Sequence, residues 1–192
     1  MLNDRWRKLA VFQSSTVCFR ASFYVPLHTA MIMTPFYLIL PNIRSAHNVG
    51  AMFRTADGCG VTKIYLVGYT PAPPHPKIAK VSLGAEQWMK WEMCGYLKPL
   101  VKRLKKKGVM VVALEQTGKS IDINRIVETW QCLVSPCGIA LIVGNEVTGI
   151  PPHILRLADL VVHIPMHGMK ESLNVSIAAG IAMYEIMKQT FE

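Results

Sequence analysis

Short apolar runs alternate with amphipathic segments along the chain from about residue 35 to its end. Apolar runs of about four to eight residues are typical of buried strands, and a 3.6-residue apolar spacing is typical of the helices that cover them. The predicted strands are residues 36–40, 61–67, 109–114, 139–143 and 160–164, with a weaker candidate at 88–94. The predicted helices are at about residues 47–57, 95–106, 152–157 and 173–189. This alternation predicts an α/β fold with a mainly parallel sheet flanked by helices.

The last predicted helix carries two sets of residues that suggest different contacts. One set is apolar and recurs at helical spacing, which predicts one stripe buried in the core: Leu173, Ile177, Ile181, Tyr184 and Met187. The other set is small and would let another helix approach closely: Ala178, Ala179, Gly180 and Ala182. We expect the small residues to lie in a two-fold symmetric contact between two copies of the chain.

Residues 1–32 differ in composition from the rest of the chain. They carry four basic residues and one acidic residue, and an uncharged run follows over residues 21–43. A targeting segment and a membrane anchor are alternatives, but prolines interrupt the run and its second half is better explained as the first strand. We therefore expect residues 1–32 to be an extension outside the fold, with Met31 or Met33 as an alternative natural start. Residues 33–192 then form one domain, and no membrane contact is expected.

The charge of the chain favours a polyanionic partner. Its 21 Lys and Arg residues against 12 Asp and Glu give a formal net charge of +9 and a pI of about 9.5. Nucleic acid is the first candidate. Basic residues concentrate at the end of the second predicted helix, at Lys98, Lys102, Arg103, Lys105, Lys106 and Lys107. They either contact RNA or form an ordinary solvated helix end, where the macrodipole stabilises cations.

The five cysteines, Cys18, Cys59, Cys94, Cys132 and Cys137, are odd in number and lie at no metal-ligand or CxxC spacing. This pattern predicts neither a disulfide framework nor a zinc site. A reducing, cytoplasmic location is expected.

Polar residues and glycines follow three of the predicted strands, which is where open α/β sheets bind ligands. The first segment, residues 42–57, leaves the first strand and enters a helix on which Gly50 and Arg54 share a face. The glycine would leave room for a bulky group beside the guanidinium, which could grip a phosphate or a ribose oxygen. Alternatively, Asn48 only caps the helix and Arg54 pairs with a surface carboxylate.

The second and third segments follow later strands. In residues 142–151, Gly144 and Gly149 bracket polar residues, so the backbone could approach a flat ligand closely. In residues 162–176 a helix begins, and its free N–H groups could bind a carboxylate, with Ser172 or Asn174 extending the polar rim. Capping by Ser172 alone is the alternative. The proline-rich segment 70–76 is predicted to be a stiff loop, either an ordinary connection, a spacer or a substrate loop.

Together the three segments resemble the three motifs of the SpoU (TrmH-like) family of the SPOUT superfamily, in the same order. The motifs are Asn-x-Gly-x-x-x-Arg-Thr-Ala at residues 48–56, Gly-Asn-Glu-x-x-Gly at 144–149, and Ile-Pro-Met with Ser-Leu-Asn-Val-Ser at 164–176. The resemblance covers about residues 35–190. The Leu-Gly-Ala-Glu stretch at 83–86 is also similar to a family segment.

The resemblance implies an S-adenosylmethionine-dependent methyltransferase that acts on a ribose 2′-hydroxyl of RNA, works as a homodimer and needs no metal. It also implies a trefoil knot near the C-terminus. Tightly knotted chains are otherwise essentially absent from proteins. The cofactor-binding residues would be Leu114, Gly144, Ile164, Met166, Ser172 and Leu173. The catalytic residues would be Arg54, Asn48, Glu146 and Asn174.

The role of Arg54 stays open between a base and an electrostatic clamp. We favour the clamp, because a guanidinium is normally charged at all working pH values. The small size of the domain favours tRNA over rRNA as substrate. A catalytically silent RNA-binding or ribosome-associated module on the same fold is the alternative. A nicotinamide-dependent enzyme is disfavoured because no GxGxxG follows the first strand.

Overall fold

The computed structural model of the protein describes residues 34–126 and 137–191. The predicted N-terminal extension and two of the cysteines, Cys18 and Cys132, lie outside these residues. No helix in the described part is long and apolar enough to cross a membrane.

The described strands form one parallel sheet. They are β1 (Phe36–Pro41), β2 (Lys63–Val67), β3 (Trp91–Cys94), β4 (Met110–Leu114), β5 (Ile121–Asp122), β6 (Ile139–Val143) and β7 (Leu160–His163). Their order across the sheet is β3-β2-β1-β6-β4-β7-β5, and every pairing between neighbours is parallel. The predicted parallel α/β architecture is therefore confirmed.

Helices cover both faces of the sheet. They are α1 (Ala46–Gly58), α2 (Pro76–Ser82), α3 (Ala85–Trp88), α4 (Leu97–Lys106), α5 (Pro152–Leu155) and α6 (Val175–Phe191), and a 3-10 turn spans Ile123–Arg125. Helices α1, α2 and α6 pack on one face, where β1 contributes Leu38 and Leu40. Helices α4 and α5 pack on the other face against Ile39. Successive strand residues point to opposite faces, so strands buried on both sides read as continuous apolar runs.

Two helices between β2 and β3 were missed by the sequence reading. The proline-rich loop ends at His75, whose Nδ1 atom accepts a hydrogen bond from the Lys77 N–H at 3.1 Å and caps α2. Pro76 is the first helical residue, which its fixed φ favours. Trp88 belongs to α3 rather than to the weak strand candidate, because β3 begins only at Trp91.

The predicted buried stripe of the terminal helix is wrong. In α6 the buried residues are Ala179, Ala182, Met183 and Ile186. Ile177 and Tyr184 of the predicted stripe are each 55% exposed, and Ile181 is 38% exposed. The helix is apolar on nearly all sides, so spacing alone could not identify the face that meets the core. Gly180 faces Thr55 of α1. Ala179 and Ala182 are therefore buried within the chain and cannot form the predicted contact with a second copy, whereas Gly180 is half-buried beside Thr55.

Half-buried charges fix the outer end of the sheet. The Glu92 carboxylate of β3 accepts hydrogen bonds from Lys63 Nζ at 2.6 Å and Arg103 Nη2 at 2.9 Å. These two bonds lower the pKa of Glu92 to about 2.

One lysine of the basic cluster in α4 forms an ion pair: Lys105 pairs with Asp159 at 2.5 Å. The remaining lysines of the basic cluster, Lys98, Lys102, Lys106 and Lys107, are exposed and form no ion pair within the described residues.

Candidate functional site

A pocket of about 440 Å³ opens at the carboxyl ends of β4, β6 and β7. The segments after these three strands, together with the first turn of α6, supply its lining. The lining residues are Leu114, Glu115, Gln116, Val143, Gly144, Asn145, Glu146, Val147, Gly149, His163, Ile164, Met166, Glu171, Ser172, Leu173, Asn174, Val175 and Ala178. The carboxyl edge of a parallel sheet is the usual ligand site of such folds.

Glu146 connects the pocket to the start of α1. Its carboxylate accepts hydrogen bonds from the backbone N–H groups of Arg44 at 3.1 Å and Ser45 at 3.3 Å. It also accepts a bond of 3.1 Å from Asn48 Nδ2. The first N–H groups of a helix have no partner within the helix and attract negative charge, so a carboxylate is stabilised at this position.

The pKa of Glu146 reflects two opposing effects. Partial burial raises the pKa, whereas the hydrogen bonds from the Arg44 and Ser45 backbone and from Asn48 lower it. The net pKa lies below its ordinary value of 4.5. Glu146 is therefore a stable carboxylate and a poor proton acceptor at neutral pH.

Asn174 joins the third motif to the first. Its Nδ2 atom donates to Asn48 Oδ1 at 3.3 Å, and its Oδ1 atom accepts from the Ser176 N–H at 2.9 Å. The second bond makes Asn174 the cap of α6, so the alternative of capping by Ser172 is wrong. At α1 the capping side chain is Ser45, which accepts from the Asn48 N–H at 3.3 Å, so Asn48 is free to bridge the other two motifs.

The loop at residues 144–149 is built on its own backbone and on Glu115. A Cβ atom at Gly144 would lie 3.0 Å from Gly149 Cα, and one at Gly149 would lie 2.6 Å from Glu115 Oε2. Gly149 also has a φ of +63°, which favours glycine. Glu115 Oε2 accepts a hydrogen bond of 2.7 Å from the Ile150 N–H. Gly144 thus allows the loop to fold closely on itself, so its lack of a side chain is required by the turn and not only by a ligand.

Asn145 anchors the same loop in the protein interior. It is 9% exposed, and its Oδ1 accepts from the N–H groups of Val147 at 2.8 Å and Thr148 at 3.0 Å. Its Nδ2 donates to the Asn42 carbonyl at 2.5 Å and to the Tyr69 hydroxyl at 3.0 Å. The loop conformation is therefore tied to the ends of β1 and β2.

The predicted cofactor residues all lie around this one pocket: Leu114, Gly144, Ile164, Met166, Ser172 and Leu173. Of the predicted catalytic residues, Glu146 and Asn174 line it, and Asn48 is hydrogen-bonded to both. Arg54 stands apart, exposed on α1 and without an ion pair among the described residues. The alternative pairing of Arg54 with a surface carboxylate is therefore not found among the described residues.

Gly50 does not make room beside Arg54 as predicted. A Cβ atom there would lie 2.7 Å from the carbonyl oxygen of Ile78 in α2. Gly50 is buried and lets the two helices approach each other. This contact depends on α2, a helix that the sequence pattern does not predict.

Glu115 and His163 are pocket residues that the sequence did not single out. Glu115 directly follows β4, and its position after a buried strand was the available signal. His163 ends β7, and its Nδ1 atom is buried with no hydrogen-bond partner in the described part of the chain. A buried polar atom without a partner beside a pocket is a place where a ligand can supply the missing hydrogen bond.

The pocket fits S-adenosylmethionine in size and chemistry. A cavity of about 440 Å³ lies within the usual range for small-molecule sites, and Leu114, Val143 and Ile164 offer apolar surface. The described lining includes the carboxylates of Glu115, Glu146 and Glu171 and no Lys or Arg, which suits a cationic ligand. No group of three or more His, Cys, Asp or Glu side chains that could hold a metal occurs among the described residues.

The parallel sheet and the pocket at its carboxyl edge define a ligand-binding α/β domain, and comparison with known proteins identifies its family. The family model described as "SpoU rRNA Methylase family" matches residues 35–184. The chain belongs to this family. The resemblance inferred from the three motifs is therefore confirmed.

Relatives and solved structures agree with this membership. The chain is 33% identical over 152 residues to the tRNA (guanosine(18)-2′-O)-methyltransferase of Aquifex aeolicus, covering 79% of this chain and 68% of the relative. It is 31% identical to the 23S rRNA (guanosine-2′-O-)-methyltransferase RlmB of Neisseria meningitidis, covering 81% of this chain and 59% of the relative. An AdoMet-bound rRNA methyltransferase from Sinorhizobium meliloti superposes with a TM-score of 0.72 at 28% identity, covering 82% of this chain and 57% of that chain. The chain thus spans about three fifths to two thirds of the length of these proteins.

Proposed function

We propose that this protein transfers a methyl group from S-adenosylmethionine to a ribose 2′-hydroxyl of RNA. The observation that carries the proposal is a hydrogen-bonded network at the rim of a cofactor-sized pocket. Asn48 is its central residue and is bonded to both Glu146 and Asn174. A network that joins three distant parts of the sequence at one ligand site indicates a built reaction centre. The relatives named above act on ribose 2′-oxygens of tRNA and rRNA.

In this proposal the pocket lining binds the cofactor, and the hydrogen-bonded side chains at its rim orient the reacting groups. S-adenosylmethionine, when bound, supplies an electrophilic methyl group on a positively charged sulfur. The apolar lining holds the adenosyl part, and the loop at Gly144 offers it backbone groups. Glu146 holds Asn48, which in turn accepts a bond from Asn174, so the two amides are fixed in orientation before RNA arrives.

Arg54 serves the RNA side of the reaction in this proposal. It lies outside the pocket lining, on the helix whose first turn carries Asn48. Because Arg54 forms no ion pair with the described residues, its guanidinium is available to bind a phosphate in a bidentate manner and to stabilise charge on the attacking oxygen. Its permanent charge makes it a clamp and not a base.

We propose tRNA before rRNA as the substrate, supported by the tRNA specificity named for the relative at 33% identity. The test is incubation of the purified protein with S-adenosylmethionine and unmodified tRNA or rRNA transcripts, followed by mass spectrometry of the nucleosides. We expect a 2′-O-methylated nucleoside in the tRNA sample. Methylation of rRNA alone would overturn the choice of substrate.

The alternative of a silent RNA-binding module predicts a different result. Such a protein would bind the transcripts without binding the cofactor. Calorimetric titration with S-adenosylmethionine separates the two functions, because the proposed enzyme gives saturable binding at one site per chain. Absence of this binding in protein that still binds RNA would overturn the enzyme proposal.

We also propose a homodimer built on the outer face of α6. Ile177, Ile181 and Tyr184 lie there at helical spacing, opposite the buried face. Apolar groups gathered on one exposed helix face are typical of an interaction surface. We expect Ile181→Asp to convert a dimer to a monomer in sedimentation analysis, whereas Met93→Asp, at a 46% exposed site on β3, leaves it a dimer. A wild-type protein that sediments as a monomer would contradict the proposal.

A further inference from the structure

Exposed side chains follow three neighbouring strands just outside the pocket. Arg44 follows β1, Tyr69 follows β2, and Tyr96 follows β3, with Lys98 in the first turn of α4. The strand order β3-β2-β1-β6 places them in a row that leads away from the pocket loop after β6. Tyr69 is 63% exposed and Tyr96 is 80% exposed. We call these four residues the edge track.

Tyr69 is held by hydrogen bonds at its backbone and at its hydroxyl, although most of the residue is exposed. Its backbone N–H donates to Asn42 Oδ1 at 3.3 Å, and its hydroxyl accepts from Asn145 Nδ2 at 3.0 Å. The backbone thus lies at the end of β2, and the hydroxyl reaches the loop after β6. Because β1 lies between these two strands, the ring crosses the carboxyl end of β1. It lies next to the loop that carries Glu146.

The backbone beneath the ring is held in an unusual conformation. Asn42 has a φ of 55° and Gly68 a φ of 68°, both in the left-handed region. A Cβ atom at Gly68 would overlap the side-chain oxygen of Asn42, so glycine is required there. The Asn42 N–H donates to the Val67 carbonyl at 3.0 Å and helps to hold this arrangement. Asparagine enters this region more readily than other non-glycine residues, so the turn beneath the ring is held without a glycine at position 42.

We propose that the edge track binds the single-stranded RNA that flanks the target nucleotide. Tyr69 and Tyr96 stack on bases, and Arg44 and Lys98 hold phosphates. Exposed aromatic rings beside cations are the common platform for single-stranded nucleic acid, because every base has a face on which an aromatic ring can stack. This inference rests on the function proposed above, since it takes RNA to be the substrate.

The charges and the spacing of the edge track suit this partner. Arg44 and Lys98 form no ion pair within the described residues, and Arg44 uses only its backbone N–H on Glu146. Neighbouring strands lie about 4.8 Å apart. Three strand ends therefore span about 10 Å, which leaves room for more than one nucleotide along the row. The fixed Tyr69 ring loses little freedom when a base stacks on it.

Trp88 provides a matched control for the tyrosines. It is 61% exposed, and its Nε1 donates to Asp57 Oδ1 at 2.9 Å, so it is also an exposed ring with a fixed polar end. It lies just before β3 begins, at the amino edge of the sheet. The proposed RNA path does not pass there.

The test measures binding of a short single-stranded RNA that carries 2-aminopurine in place of one adenine. Stacking on a tyrosine quenches the fluorescence of this base. We expect Tyr69→Ala and Tyr96→Ala each to weaken RNA binding about tenfold or more and to reduce the quenching. Tyr69→Phe retains the ring and stays within about threefold of the wild type, as does Trp88→Ala. The calorimetric affinity for S-adenosylmethionine is unchanged in Tyr96→Ala and Trp88→Ala, which do not contact the pocket loop.

Two results would overturn the edge track. One is unchanged RNA affinity and quenching in both tyrosine-to-alanine variants of a protein that methylates RNA. The other is a loss of RNA affinity in Tyr69→Phe equal to that in Tyr69→Ala. It would show that RNA binding depends on the hydroxyl, which holds Asn145 in place, and not on stacking by the ring. Failure of the edge track can be told apart from failure of the proposed function. In the second case the wild-type protein would transfer no methyl group to any RNA.

Discussion

At the scale of single residues, the Glu146 carboxylate accepts three N–H donors, from the backbone of Arg44 and Ser45 just before α1 and from the Asn48 side chain, and so fixes the geometry of the site. With both oxygens occupied, Glu146 acts as a positioning residue for Asn48. The Arg54 guanidinium, by contrast, forms no ion pair in the described structure and lies outside the pocket lining. Binding of the cofactor and action on the RNA are therefore assigned to different residues.

This division predicts the behaviour of Arg54 variants. Arg54→Ala should leave the affinity for S-adenosylmethionine within about threefold of the wild type, because Arg54 does not line the pocket. Single-turnover methylation should fall by about a hundred- to a thousandfold, the usual effect of losing a charge-assisted contact made in the transition state. Arg54→Lys should restore little, since an ammonium lacks the planar fork.

Arg156→Ala is the control for Arg54, because Arg156 is an exposed arginine that ends α5 on the other face of the sheet. It should methylate at the wild-type rate. A near-normal rate in Arg54→Ala, or loss of its cofactor binding, would refute the assigned role.

A second prediction concerns Gly144. A valine there would press on Gly149 and on the Glu115 carboxylate, both about 3 Å from its Cβ atom. We expect Gly144→Val to abolish cofactor binding in calorimetry and to lower the free energy of unfolding by about 1–3 kcal/mol. Gly58→Ala is the control, since nothing lies within 4 Å of its Cβ position. Normal cofactor affinity in Gly144→Val would place the cofactor elsewhere.

At the scale of elements, how much could be predicted depends on whether the signal is local. The strands at residues 36–41 and 139–143 were predictable because they are buried on both faces and read as apolar runs. Helix α2 was not, because its only start signal, Pro76, lies within a proline-rich loop. The outer face of α6 was misassigned because apolar residues occur on both of its sides. The links from Asn48 to Glu146 and Asn174 join residues 98 and 126 positions apart, which no local pattern reveals.

The outer end of the sheet gives a prediction for acid stability. Hydrogen bonds from Lys63 and Arg103 lower the pKa of Glu92 from 4.5 to about 2. A carboxyl group whose pKa is lower in the folded state stabilises the fold above its unfolded pKa and loses this effect as the pH falls towards the folded pKa. The side chain is 34% exposed, so the gain is about 1 kcal/mol at most.

Urea unfolding of the wild type and Glu92→Gln tests this expectation. The wild type should be more stable at neutral pH, and the difference should shrink as the pH falls from about 4.5 to about 2. In Lys63→Met, which lacks one partner, the effect of Glu92→Gln should be smaller. A difference that does not vary with pH would contradict this account.

At the scale of the whole molecule, charge is distributed unevenly between the surface and the pocket. The chain has a net charge of +9, yet the described pocket lining contains three glutamates and no Lys or Arg. Exposed cations without ion pairs in the described structure lie elsewhere, among them Arg44, Arg54 and Lys98. The two ligands should therefore respond differently to salt.

The last prediction is that salt weakens RNA binding strongly and cofactor binding little. Each phosphate contact on a single strand contributes about −0.7 to the slope of log affinity against log salt concentration. About four contacts would then cost about fiftyfold in RNA affinity between roughly 50 and 200 mM salt. The affinity for S-adenosylmethionine should change by less than about threefold, because no phosphate is neutralised in its pocket. Removing the Arg44 and Lys98 charges together by alanine substitution should make the RNA slope shallower by about 1.4, whereas Arg156→Ala should leave it unchanged. An RNA slope that is the same in the double variant and the wild type would show that these two cations do not touch the phosphates.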